Sequence, residues 1–127
     1  MFDTHVHIAD SAFNQDRKEV LLRAQDQGVR GLISVYCGSA EAEVFIEGVQ
    51  NYDFIWGACG IHPHDAKKAD RLWPSFTEIL KTEKVVAIGE IGLDYYYENS
   101  PAPVQKEVFR EQLRLAKIEN IPVIIHC

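Results

Sequence analysis

The residues able to do chemistry in this chain are few and grouped. All five histidines fall in three short segments: His5-Val6-His7, His62-Pro63-His64 and the lone His126. A carboxylate, Glu90, sits between glycines in Ile88-Gly89-Glu90-Ile91-Gly92-Leu93-Asp94. Neutral imidazole is a ligand for zinc and other first-row divalent metals, and a carboxylate adds a hard, charged oxygen that can bridge two cations. The His5-x-His7 spacing suits this role, because side chains two apart on a strand point the same way and can share one ion. Each group also has an ordinary reading. The His-x-His pair can be exposed or hydrogen-bonded, Glu90 can cap the next turn, and His126 can be a satisfied core histidine. What favours metal binding is where these residues fall in the fold.

Short, nearly all-apolar runs alternate with longer amphipathic ones. Strands are expected over Met1 to Ile8, Val29 to Cys37, Phe54 to Gly60, Lys84 to Gly89 and Pro122 to His126. A first helix should start at a cap on Asn14 or Asp16, run to about Gln27 and stop at Gly28. A second is expected from Ser39 to about Val49 and a third near Pro74 to Lys81. A fourth runs from about Pro103 to Glu119, with Pro103 in a favourable first-turn position and Val108, Phe109, Leu113 and Ala116 on one side. Strands covered on both faces and separated by helices form parallel βαβ units.

In that arrangement His5 and His7 end strand one, and His62 and His64 follow strand three. Glu90 follows strand four, and His126 ends strand five. The C-terminal ends of parallel barrel strands converge on a single mouth, where catalytic groups collect. His5, His7, Glu90 and His126 are therefore the candidate metal ligands. His62, after a turn made rigid by Pro63, can face the mouth and contact a substrate phosphate, whereas His64 can be an exposed loop residue. Asp94, on the substrate side, either orients a ligand from behind or hydrogen-bonds its own turn. The Tyr95-Tyr96-Tyr97 run can stack bases or serve packing.

Composition narrows the class. The 127 residues carry 13 Lys and Arg against 19 Asp and Glu, a net charge of −6. This disfavours a basic coat for nucleic acid but leaves room for a nuclease whose bound cations neutralise phosphate locally. Cys37, Cys59 and Cys127 form no CxxC pair, which argues against a zinc knuckle or a disulfide framework and for a reducing compartment. The N-terminus has no signal-peptide pattern, and no apolar run approaches the roughly 20 residues that span a bilayer. A cytoplasmic protein without membrane contact is expected.

Asp3-Thr4-His5-Val6-His7, Gly60-Ile61-His62-Pro63-His64, Gly89-Glu90-Ile91-Gly92-Leu93-Asp94-Tyr95-Tyr96 and Pro122-Val123-Ile124-Ile125-His126 together resemble the TatD deoxyribonuclease family, in order and in spacing. The resemblance implies a metal-dependent hydrolase, related to the amidohydrolases, that cleaves DNA phosphodiesters, often as an exonuclease. It implies two divalent cations (zinc, magnesium or manganese). His5 and His7 would hold the first, His126 the second, and Glu90 would bridge them as the central catalytic carboxylate, with His62 near the substrate phosphate. The fold implied is a partial TIM-type (β/α) barrel, about five parallel strands and four helices of an eight-stranded barrel, with residues 1–127 as its N-terminal portion. The family pattern continues with another His ligand and a late Asp ligand, and Cys127 stands where a small hydroxyl residue is usual. The fifth strand would then be an open edge through which self-association can occur.

Two other readings stand beside this one. An amidohydrolase-type enzyme acting on amides or esters would share the His-x-His, although many such enzymes place a carboxylated lysine where Glu90 falls. A truncated, non-catalytic fragment would bind metal without turnover.

Overall fold

The computed structural model describes residues 1–38 and 41–127. The chain builds five strands, β1 (Phe2–Val6), β2 (Gly31–Tyr36), β3 (Ile55–Cys59), β4 (Val85–Gly92) and β5 (Val123–His126). Between them lie four helices, α1 (Arg17–Asp26), α2 (Ala42–Asn51), α3 (Ala69–Leu80) and α4 (Ala102–Glu119). All four strand pairings are parallel, and the spatial order is β1-β2-β3-β4-β5, the same as the order in sequence. A doubly wound sheet reverses direction at a switch point, whereas sequential order is how a (β/α) barrel grows. The sheet is thus a curled half-barrel of five strands and four helices, with β1 and β5 outermost.

Its two faces differ in what they bury. The outer face carries Leu32, Tyr36, Ile55, Cys59, Ile88 and Ile91, packed against Leu21 of α1, Phe45 and Val49 of α2, Phe76 and Ile79 of α3, and Val108 and Ala116 of α4. The inner face is a smaller cluster of Val35, Ala58 and Ala87, flanked by Ile33, Cys37 and Ile124. The period-two alternation of strands explains both sets, because Leu32 and Tyr36 share one side of β2 and Ile33 and Val35 the other.

Several local expectations are corrected. Helix α3 begins at Ala69, not near Pro74, which lies inside it. The 3-10 turn over Pro63–Lys68 runs straight into α3 and seeds its first turn. Leu72, Trp73, Phe76 and Ile79 then form one apolar face, and burying it outweighs the single backbone bond that Pro74 cannot make. The expected start of α2 at Ser39 lies outside the described residues. On α4 the buried positions are Gln105, Val108, Gln112 and Ala116, while Leu113 is partly exposed.

Strand β4 extends to Gly92, so Glu90 lies within the strand rather than after it. The glycines that suggest a turn have a different use, which is to let β5 pass close. A Cβ on Gly89 would fall 2.6 Å from the Cβ of Ile124. One on Gly92 (φ +153°) would fall 2.0 Å from the carbonyl oxygen of His126. Gly92 pairs with His126 in the sheet, so this contact sets where the last imidazole sits.

Gly92→Ala should therefore push β5 away and lower stability by about 3 kcal/mol, read from the urea midpoint. Gly48→Ala is the contrasting control. A Cβ there meets nothing within 4 Å on α2, so alanine should stabilise the chain by about 0.5–1 kcal/mol. Equal effects at the two positions would contradict this account of the β4–β5 contact.

Candidate metal centre

Three strands, β1, β4 and β5, and the segments that follow β1, β3 and β4 deliver side chains to a single cluster. From β1, the His5 and His7 rings converge, with their Nε2 atoms 3.3 Å apart. One oxygen of Glu90, Oε2, lies 3.2 Å from His5 Nε2 and 3.7 Å from His7 Nε2. The other, Oε1, lies 2.6 Å from Nδ1 of His126. The Glu90 carboxylate, only 8% exposed, thus has one face for the β1 imidazoles and the other for β5. The predicted ligands His5, His7, Glu90 and His126 do gather at one rim.

The 3-10 turn after β3 brings His62 and His64. His62 caps that turn, and its Nδ1 accepts a hydrogen bond from the backbone N–H of His64 at 3.2 Å. Its other ring nitrogen, Nε2, faces inward, 3.3 Å from Nδ1 of His126 and 3.9 Å from Glu90 Oε2. His64 departs from the expected exposed loop residue. It is half-buried, its Nε2 lies 2.6 Å from Asp94 Oδ2, and its ring packs edge-on against His62. The same Asp94 oxygen is 3.2 Å from Nε2 of His126.

Asp94 uses both of its carboxylate oxygens. Its Oδ1 accepts from the backbone N–H groups of Tyr96 and Tyr97, fixing the turn, while Oδ2 faces His64 and His126. With both oxygens occupied and 8% exposure, it is placed to orient imidazoles rather than to touch substrate directly.

The donor set can be tested against an ion. Zinc–nitrogen and zinc–oxygen bonds of ~2.0–2.1 Å in a tetrahedron place neighbouring ligand atoms about 3.4 Å apart. The His5, His7 and Glu90 separations of 3.3, 3.2 and 3.7 Å match that edge length. His5, His7 and Glu90 therefore fit a first-row divalent cation as they stand. Two further triads, His62–Glu90–His126 and His64–Asp94–His126, also bring their ligand atoms within 4.8 Å of one another. In these the closest pairs, Glu90–His126 and His64–Asp94, lie at 2.6 Å. Cys37 is in none of these triads, and burial pushes its thiol up to about 12, beyond what its hydrogen bond to the Glu90 backbone offsets.

Electrostatics follow the same division. Burial pushes the His62 pKa down, more than the nearby Glu90 charge pulls it back. Burial alone would also lower His126, but hydrogen bonds to Glu90 and Asp94 outweigh it and the net direction is up. For Glu90 burial works upward, yet the His126 hydrogen bond and the charges of His5, His62 and His126 bring it below the usual carboxylate range. The backbone N–H of Tyr97 and the His64 ring hold Asp94 well below its ordinary value.

A half-barrel of sequentially ordered strands with an imidazole–carboxylate cluster at their C-terminal ends is the arrangement of the metal-binding (β/α) barrels. The family model described as TatD related DNase matches residues 2–127, and the chain belongs to that family. It is 43% identical over 129 residues to an uncharacterized metal-dependent hydrolase, YabD, of Bacillus subtilis, covering 99% of this chain and 50% of that protein. It is 36% identical over 132 residues to the 3'-5' ssDNA/RNA exonuclease TatD of Escherichia coli K12, covering all of this chain and 49% of that protein. The crystal structure of YjjV, a TatD homologue from E. coli K12, superposes with a TM-score of 0.88 at 32% identity, over 99% of this chain and 50% of that one. The chain spans about half the length of the relatives it matches.

The two perturbed imidazoles should titrate on opposite sides of 6.5 in chelator-treated protein, His62 below and His126 above. The signs follow. His126 adds stability that is present below pH 6.5 and lost as pH rises through its folded value, while His62 costs stability as pH falls below 6.5. Histidine-resolved NMR titration reads both, and Glu90→Gln should bring His126 down. A His126 that titrates below His62 would contradict the observed pairing.

Proposed function

We propose that this chain carries the metal-binding half of a hydrolase that cleaves phosphodiester bonds of single-stranded DNA, acting from a chain end in a reducing, cytoplasmic setting. The reading rests above all on Glu90, a buried carboxylate that offers one oxygen to His5 and His7 and the other to His126. Two cations held on either side of it, by His5, His7 and Glu90 and by Glu90 and His126, would activate a water and neutralise phosphate charge when bound. Similarity to the nuclease relatives supports the substrate class, and the membrane is an unpromising site of action, since no helix of the described residues is long and apolar enough to cross one.

The chain's own side chains do the remaining work. His62 is the residue best fitted to the phosphate. Because its Nδ1 accepts from the His64 N–H, its neutral tautomer carries the proton on Nε2, which faces the cluster as a donor. A nitrogen that carries a proton suits a phosphate oxygen better than a cation. His126 stays oriented between two carboxylates, the arrangement by which second partners fix a metal-bound imidazole.

Substrate bases have an evident place to go. Tyr95, Tyr96 and Tyr97 are 50%, 88% and 67% exposed, directly after Asp94. They line a cleft of about 560 Å³ together with His126, and the Tyr97 ring lies 5.7 Å from that of His64. Aromatic rings beside a phosphate site can stack the flanking nucleobases of a single strand. A larger hollow of about 690 Å³ lies between α1 and α2, lined by Arg17, Glu47 and Tyr52, and none of the cluster residues reaches it.

Glu90→Gln should reduce release of nucleotides from a labelled single-stranded oligonucleotide in Mn²⁺ by at least about 10²-fold while leaving the urea midpoint nearly unchanged. Wild-type rates in this variant would end the assignment.

Tyr96→Ala tests the base contact separately. It should raise KM for the oligonucleotide by roughly five- to a hundredfold, from stacking of ~1–3 kcal/mol, yet leave hydrolysis of bis(p-nitrophenyl) phosphate unchanged. A parallel loss on both substrates would mean that Tyr96 serves the fold and not the base.

A further inference from the structure

Two glutamines on the buried stripe of α4 have no place in the account so far. Gln105 is 1% exposed and Gln112 is 0% exposed, in line with Val108 and Ala116, where an amphipathic helix would bury apolar side chains. A buried carboxamide is costly unless its donor and acceptor are both satisfied. Here both are satisfied by backbone of the site loops. Gln112 Oε1 accepts from the N–H of Ile61 at 2.7 Å, and its Nε2 donates to the carbonyl of the same residue at 3.1 Å. Gln105 Oε1 accepts from the N–H of Asp94 at 2.8 Å, and its Nε2 donates to the Asp94 carbonyl at 2.9 Å and the Ser100 carbonyl at 2.7 Å.

The backbone these amides hold is where β3 and β4 give up their ladders. Strand β3 ends at Cys59 and β4 at Gly92, while Ile61 and Asp94 beyond them remain buried and need other partners. Ile61 immediately precedes His62. Asp94 is the carboxylate that faces His64 and His126. Ser100 extends the second clamp, since its hydroxyl donates to the carbonyl of His64 at 2.8 Å and accepts from the N–H of Lys67 at 3.1 Å.

The seven-residue spacing puts the two amides two helical turns apart on one face, about 10 Å along the axis. Helix α4 therefore acts as a ruler between the ends of β3 and β4 beyond the last pair of their ladder, Cys59 with Ile88. By contrast, the carbonyl and amide groups that place Glu90 belong to the sheet, and His5 is at the end of β1.

We propose that Gln105 and Gln112 are positioning residues for His126 as a metal ligand, Gln105 through Asp94 and Gln112 through His62, each of which lies within 3.3 Å of the His126 ring, while β1 and β4 set His5, His7 and Glu90. This rests on the reading of the cluster as a metal centre, and it assigns α4 a function that its packing does not require.

The test is calorimetric titration of the chelator-treated chain with Zn²⁺ alone, which needs no turnover. The wild type should show two binding steps, with His7→Ala used to assign the step at His5, His7 and Glu90. Gln112→Met and Gln105→Met should weaken the other step by about tenfold or more and leave the first within about twofold. Val108→Ala, on the same face of α4, destabilises the helix packing without touching a clamp and should leave both steps unchanged. If the methionine variants do not fold, Gln112→Asn, which keeps the carboxamide but withdraws it from Ile61, takes their place and should show the same selective loss.

Wild-type binding in two steps with glutamine variants no weaker than Val108→Ala overturns the positioning role alone. Equal weakening of both steps overturns it in favour of general destabilisation. A wild type that binds no Zn²⁺ overturns it together with the metal centre.

Discussion

A carboxylate removed from water must be matched by positive charge or by hydrogen-bond donors, and in this chain that constraint falls on Glu90. It sits within a strand, 8% exposed, where desolvation works against its ionised form. Imidazoles from β1, the loop after β3, and β5 surround it, and their attraction is enough to hold it charged. The strand order, the glycines beside β5 and the glutamines of α4 all act to keep those rings within reach of one carboxylate. His126 lies closest of these rings, its Nδ1 2.6 Å from Glu90 Oε1.

The sequential sheet explains why residues 85 positions apart can meet. His5 and Glu90 belong to β1 and β4, which do not pair, yet a curled parallel sheet brings the C-terminal ends of its strands round to a common mouth. Register irregularities occur between Asp3 and Val6 on β1 and between Ile88 and Ile91 on β4, the stretches that carry His5 and Glu90. Such breaks re-aim side chains that a regular ladder would point elsewhere. Gly92 then allows the closest approach of β5, whose His126 carbonyl would collide with any side chain at that position.

Much of this was legible in the residues because it depends on local pattern. Apolar runs marked all five strands, and the histidines and Glu90 marked the rim at which four of them, β1, β3, β4 and β5, converge. The extension of β4 through Gly92 was not legible, since Gly-x-x-Gly reads as a turn until a neighbouring strand explains the need for small residues. Helix α3 was misread because Pro74 is a strong local breaker, while the turn that seeds the helix and the core that holds it are not local. His64 reads as an exposed loop residue because its partner, Asp94, is 30 positions away. Gln105 and Gln112 were missed for a related reason. Their only sequence signal is polar residues seven apart in register with Val108 and Ala116, and that pattern is ambiguous until the strand ends they serve are known.

A net charge of −6 is no obstacle to a polyanionic substrate at such a site. Charges more than a Debye length from the mouth, about 8 Å at physiological salt, are largely screened. The excess of acids lies partly on helix surfaces: Glu43 and Glu47 on α2, and Glu107 and Glu111 on α4. At the mouth itself the permanent negative groups of the cluster are Glu90 and Asp94. Two divalent cations would exceed their charge and leave a local positive field where phosphate must dock. The same arithmetic bears on why the histidines are so many. Neutral imidazoles hold cations without cancelling their charge, so a centre built mainly from histidine keeps more of that field for the substrate than one built from carboxylates would.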